Sequence, residues 1–252
     1  MSVLLETRGL VKQFGEFRAV DGVAFRVQDG EVLALIGSNG AGKTTLVNLI
    51  SGLLRPDAGS IHFRGADVTA QSVHERIGAG IARSFQLVNL FDQLSALDNV
   101  ALSIFSRQGK TRKLWALAEA DRPVWQEALG ILATFRMDAK AAVPAGGLSQ
   151  GERKLLDVAV AYALKPKLLF LDEPTSGVST REKSPIMDTI ASVVRSEGIS
   201  AAIIEHDMDV VFGYSDRIVA MHQGTILADG TPEQIRRDER VLTTLIGTPE
   251  AR

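Results

Sequence analysis

Apolar residues fall along this chain in three different patterns. From residue 3 to 28 apolar and polar positions alternate unevenly, with turn residues at Gly15 and at Asp21-Gly22. A period near two predicts two or three antiparallel strands. Short, largely apolar runs form a second pattern: Glu31 to Ile36, Ile81 to Gln86, Lys167 to Leu171 and Ser200 to Ile204. They read as strands buried on both faces, the habit of parallel sheets. The third pattern is helical spacing. Leu46, Val47, Leu49 and Ile50 share one face, as do Leu97, Val100, Ala101 and Ile104. Leu114, Leu117 and Ala118 make a further face, and Trp125, Leu129 and Leu132 another. Each predicts an amphipathic helix.

The connecting segments fit these elements. Arg55 to Ser60 reads as a turn, Ile61 to Phe63 as a short strand and 72 to 80 as a short helix. Ser149 with Glu152 three residues on is a capping box, opening a helix that runs to about Leu164. Thr180 to Gly198 is a helix, with Pro185 placed in its first turn, where a missing N–H is harmless. Short strands follow around 218–221 and 225–228. Thr231-Pro232-Glu233-Gln234 is a capping box with Pro at the first helical position. The order predicts an α/β chain: one domain over residues 1–252, with an N-terminal antiparallel β part. Residues 1–86 and 155–252 form the α/β core, and 87–154 an all-helical insert.

The chemistry begins between the first apolar run and the helix after it. Gly37-Ser38-Asn39-Gly40-Ala41-Gly42-Lys43-Thr44, followed by Thr45, is a phosphate-binding loop pattern in its required context of strand, loop and helix. Glycines let the backbone wrap a phosphate without Cβ collisions. The loop N–H groups then form an anion nest backed by a helix N-terminus. Lys43 brings a charge to the β- and γ-phosphates, and the Thr44 hydroxyl is placed to ligate Mg²⁺. Leu168 to Leu171 is a second signal, because Asp172 and Glu173 follow it where ligands bind in parallel sheets. Asp172 suits Mg²⁺, and Glu173 the activation of an attacking water. If the strand stays extended, the two side chains point opposite ways.

Other residues admit two readings. Phe14 is either a base-stacking ring or an ordinary core Phe. Gln86 ends a strand as a ligand or in water. Ser149 and Glu152 are explained by helix capping, but Gly151 in the first turn is not, since Gly is a poor helix former. His206, at the exit of the strand Ser200 to Ile204, is structural or a donor to a γ-phosphate. Lys110 to Lys113 is a solvated basic run.

Composition removes some classes. The chain has no cysteine, which excludes disulfides and thiolate metal sites. A net charge of −2 argues against a broad nucleic-acid-binding face. No run approaches the ~20 apolar residues of a membrane span, and the N-terminal apolar stretch is too short for a secretory signal.

The motif order resembles the ATP-binding subunit of ABC transporters from about Leu4 to Gly247. The resemblance implies a phosphate-loop NTPase core of the ABC ATPase type, with ATP and Mg²⁺ as cofactors. It implies that Phe14 stacks on adenine, that Gln86 touches Mg²⁺ and the attacking water, and that His206 is the switch histidine. Ser149 and Gly151 resemble the signature that caps the γ-phosphate of an ATP held by a second cassette, identical or paralogous, in a head-to-tail pair. Transmembrane permease subunits are the implied partners, with an external binding protein indirectly and no nucleic acid. The implied location is cytoplasmic, on the inner face of the cell membrane. The region from Leu87 to Leu97, with Leu90 and Phe91, is implied to receive a short helix of the permease.

Two departures stand out. Gln150 and Glu152 replace the Gly and Gln of the usual signature, and Ser179 stands where the family commonly has Asp. Arg83 to Gln86, Leu90-Phe91, Leu97 to Val100 and Arg153 to Leu156 are most similar to cassettes of branched-chain amino-acid importers. Urea importers and lipopolysaccharide exporters are alternatives from the same family. A soluble ABC-type ATPase of translation or DNA repair, and a small-molecule kinase, are alternatives outside transport.

Overall fold

The chain, described here by a computed structural model over residues 2–84, 90–110 and 121–246, gathers into two compact units. One joins Met1–Ala79 to Ile199–Arg252; the other is Gly80–Gly198.

In the first unit the alternating segment folds as expected into three strands, β1 (Val3–Phe14), β2 (Phe17–Val23) and β3 (Arg26–Gln28). Both β2 and β3 pair antiparallel with β1, and β5 (Ala58–Phe63) with β6 (Ala66–Asp67) extends that sheet. The buried Thr7 hydroxyl donates to the Val23 carbonyl at 3.1 Å and accepts from the Phe25 N–H, closing the bend between β2 and β3. The parallel part holds β4 (Val32–Gly37) between β9 (Ser200–Ile204) and β10 (Arg217–His222), with β11 (Thr225–Gly230) antiparallel on β10. Val32 to Ile36 are all buried, as a strand covered on both faces requires. On one face, Ala34, Ile36, Ile218 and Ala220 alternate along neighbouring strands. They pack with Val211 of α7 (Met208–Tyr214), Ile235 of α8 (Pro232–Arg237) and Val241 of α9 (Glu239–Val241).

Helix α1 (Lys43–Ser51) buries Leu46, Val47, Leu49 and Ile50, the face read from the sequence, and stops at Gly52 with φ +84°. Its last carbonyls meet Arg76 of α2 (Val73–Ala79), a fully buried side chain that donates to the Leu49 and Ile50 oxygens at 2.5 and 2.7 Å. A cation at a helix C-terminus satisfies orphan carbonyls and opposes the helix dipole.

In the second unit β7 (Ile81–Ser84) and β8 (Leu168–Asp172) are parallel, with Arg83 opposite Phe170. Among the described residues the unit also holds the α-helices α3 (Ala96–Arg107), α4 (Arg122–Thr134), α5 (Gln150–Tyr162) and α6 (Thr180–Ser196). Phe105 of α3 meets Trp125 of α4 edge to face at 6.2 Å. Two expectations shift here. Helix α4 buries Val124, Ala128, Ile131 and Leu132 and leaves Leu129 exposed, so its core face is rotated from the predicted one. Pro185 is the sixth residue of α6 and not in its first turn. Both Pro185 and Arg181, whose carbonyl lacks its helical donor, are exposed, so water can satisfy that oxygen. Gln86, Leu87, Leu114, Leu117 and Ala118 lie outside the described residues. No helix among the described residues is long and apolar enough to cross a membrane.

Candidate functional site

In the first unit, two glycines of the phosphate-loop pattern are fixed by neighbouring backbone. A Cβ on Gly37 would stand 2.5 Å from the Met221 carbonyl oxygen, and one on Gly42 would collide with the Ala19 carbonyl. Gly42 also has φ +101°. The loop is thus pressed between β2 and the β10–β11 turn. That turn is tied to both neighbours: Gly224 donates to the Ala41 carbonyl at 3.0 Å and accepts from the Asp21 N–H at 2.9 Å. No side chain caps α1 at Gly42, so its first N–H groups point to a site where an anion would sit. Lys43 is buried, with its ammonium 2.7 Å from the Gly37 carbonyl and 3.1 Å from that of Ser38. Ser38, Asn39, Gly40 and Thr44 are exposed, Thr45 half-buried.

Two further residues belong to the same unit. Phe14, at the β1–β2 turn, is 48% exposed, so the core reading fails; Lys12 places its ammonium 5.6 Å from the ring centre. His206 follows β9, whose Ile204 lies beside Leu35 of β4, so loop and histidine leave neighbouring parallel strands at their carboxyl ends. The histidine is exposed. The buried Glu205 carboxylate accepts from the His206 N–H at 3.0 Å, which shapes this exit.

In the second unit, Asp172 closes β8 with both faces of the strand buried. Its carboxylate accepts from Arg83 Nη2 at 2.5 Å, and both side chains are under a tenth exposed. Arg83 is a residue the sequence reading used only as a subfamily marker. Its pairing depends on the β7–β8 register, which no local pattern encodes. The strand does not stay extended beyond Asp172. Glu173 has φ +48°, in the left-handed region, with Pro174 next. A non-glycine residue there costs on the order of 1–3 kcal/mol, and the position before proline disfavours helical backbone. The two carboxylates are therefore separated by a turn and not by strand alternation. The Glu173 carbonyl accepts from the Ser176 N–H at 3.1 Å and from the Lys154 ammonium at 2.9 Å.

Ser149 caps α5 as predicted, accepting from the Glu152 N–H while the Glu152 carboxylate accepts from the Ser149 N–H at 2.8 Å. That backbone bond, helped by Lys140 against the opposing effect of burial, holds the Glu152 carboxyl below its ordinary range. At Gly151 a Cβ would stand 3.0 Å from Ile186 Cδ1 of α6, so a larger residue there would require that side-chain end to shift.

Thr44 and Asp172 each offer the hard oxygen that Mg²⁺ takes. No cluster of three or more His, Cys, Asp or Glu that could hold a metal occurs among the described residues. The exposed Thr44 hydroxyl, next to Lys43 at the end of the phosphate loop, fits a magnesium ion that takes most of its ligands from phosphate oxygens.

Residues 20–176 match the family model described as ABC transporter. The chain is 33% identical to the high-affinity branched-chain amino acid transport ATP-binding protein BraF of Pseudomonas aeruginosa, over 97% of this chain and 98% of that one. It is 33% identical to the LivG protein of the same description from Escherichia coli, again over 97% and 98%. Among solved structures, it is similar to the ADP conformation of MJ1267, an ATP-binding cassette of an ABC transporter. That likeness has a TM-score of 0.86 and 32% identity, covering 98% of this chain and 100% of the other.

Proposed function

The chain belongs to the ABC transporter family as one of its ATPase cassettes, and on that premise we propose that it powers the uptake of branched-chain amino acids. The observation carrying the ATPase chemistry is the loop from Gly37 to Gly42, held by backbone contacts over an uncapped helix N-terminus with the Lys43 ammonium folded against it. The named relatives, matched along nearly their whole length, support the substrate class.

In this reading the loop N–H groups of Ser38 to Thr45 and Lys43 take the triphosphate, and Phe14 stacks on the adenine. Thr44, Asp172 and Gln86 would hold Mg²⁺, which neutralises charge on the transferring phosphoryl group. Glu173 takes a proton from water as the water oxygen bonds the γ-phosphorus. The bond from that phosphorus to the bridging oxygen breaks, leaving ADP and phosphate. His206 donates to the γ-phosphate. Ser149 and Gly151 serve the ATP of a second cassette, so that two chains close on two nucleotides. The pair works beneath transmembrane permease subunits on the inner face of the cell membrane, supplied by an external binding protein. The organisation proposed is a core of residues 1–86 and 155–252 with a helical subdomain at 87–154.

Glu173→Gln tests the chemistry. It keeps the shape and removes the base, so kcat should fall on the order of 10²–10⁴-fold with ATP binding retained; turnover at the normal rate refutes the assignment. Deleting the chain tests the substrate: uptake of labelled leucine, isoleucine and valine should be lost and restored by the wild-type copy. Unchanged uptake of all three refutes the importer reading.

A further inference from the structure

The structure points to Lys154 as a positioning residue for the hydrolytic carboxylate, an inference that rests on the proposed role of Glu173. Lys154 lies one turn into α5, the helix that Ser149 caps, and it is buried. A buried lysine needs acceptors to offset its desolvation. Two of them lie in the turn after β8: the Glu173 carbonyl oxygen and the Ser176 hydroxyl, each 2.9 Å from Nζ. The Glu173 carbonyl is thus held twice, by the Ser176 N–H within its own turn and by an ammonium from another element.

That second hold falls on a strained residue. Glu173 carries φ +48° without being glycine and precedes Pro174. Such backbone persists only where surrounding contacts over-determine it. A charge-assisted bond to its carbonyl is a contact of that kind. Relaxation of Glu173 toward extended backbone would swing its Cα–Cβ bond and carry the carboxylate with it. Lys154 therefore fixes where the base stands, without touching substrate. The same lysine joins the carboxylate's turn to the helix whose N-terminus bears Ser149 and Gly151. The turn in question continues to Ser179, where the family's usual Asp is missing.

The test uses the full chain and three variants. Lys154→Met removes the ammonium and keeps the stem; Lys154→Gln keeps a polar group too short for the same span; Lys154→Arg keeps charge and donors. A misplaced catalytic group costs up to about a hundredfold. The Met and Gln variants should therefore lose about tenfold to a hundredfold in kcat, with KM for ATP and nucleotide affinity by equilibrium binding both within about threefold. The Arg variant should recover most of the loss, and Lys154→Met should lower kcat no further in a Glu173→Gln background. If Glu173→Gln itself turns over normally, the reading of the carboxylate falls and this proposal with it. If Glu173→Gln is inactive while folded Lys154→Met or Lys154→Gln keeps wild-type kcat, the proposal alone is overturned. Failure of both neutral variants to fold would overturn it too, making Lys154 a stability residue.

Discussion

Replacing Arg83 with Met isolates the ion pair beneath the end of β8. Met preserves much of the stem's volume and removes the guanidinium. The Arg83 and Asp172 side chains are 8% and 5% exposed, so solvent cannot take over the stranded carboxylate. Removing one partner of such a pair typically costs about 3–5 kcal/mol, set against whole-chain stabilities of about 5–15 kcal/mol. For a chain of this size each kcal/mol moves the melting temperature by about 2–4 °C, so Arg83→Met should melt about 6–20 °C below wild type. The double variant Arg83→Met/Asp172→Asn removes both charges and should regain much of the loss, because no ion is left buried. Calorimetry or circular-dichroism melts at neutral pH, without nucleotide, read all four corners of the cycle. Arg83→Met melting within about 2 °C of wild type would refute the reasoning. Strict additivity of the two single changes would refute it equally, by showing that the groups are not coupled.

Two further outcomes follow from the first unit and the segment after β7. Lys43→Ala should leave the melt near wild type in the absence of nucleotide but weaken ATP binding tenfold or more, since a hydrogen bond to a charged group is worth about 1.5–3 kcal/mol; equilibrium titration with a fluorescent ATP analogue checks it, and unchanged affinity counts against the loop assignment. Phe91→Asp should leave the isolated chain folded and able to bind ATP yet stop it co-purifying with the permease, because Phe91 is 62% exposed and its backbone is held by Asn99 at 2.9 and 3.2 Å; loss of folding would make the residue core.

What the sequence disclosed and what it hid divide along physical lines. Strand β4, the α1 face and the capping boxes at Ser149 and Thr231 were legible because each depends on residues within one or two turns. The loop glycines were legible as a motif, but the Met221 and Ala19 carbonyls that exclude a Cβ come from distant strands. Arg83 and Asp172 are 89 residues apart in sequence and meet only through strand register. Lys154 reads, by spacing alone, as an ordinary helix lysine; nothing local says it is buried. The turn at Glu173 ran against propensity, since neither Glu nor a position before proline favours positive φ. The helix start at Thr180 was right, but Pro185 is its sixth residue and so lies beyond a first turn of about 3.6 residues; Leu129 was misplaced because a three-residue apolar set does not fix the phase of a helix face.

The clamp around the phosphate loop has an entropic consequence. Fixing a backbone residue costs about 1–2 kcal/mol in conformational entropy, and glycine has more freedom to lose than any other residue. Three of the six residues from Gly37 to Gly42 are glycine. Left to itself, such a segment would have to be ordered by its ligand, and much of the binding energy would go into that ordering. Here β2 and the β10–β11 turn hold the segment through backbone contacts made when the sheets form. The ordering cost is therefore met at folding and leaves the affinity for phosphate undiminished. It follows that changes in β2 or at Gly224, far from any phosphate contact in sequence, should act on nucleotide affinity by loosening the loop before they are felt as unfolding.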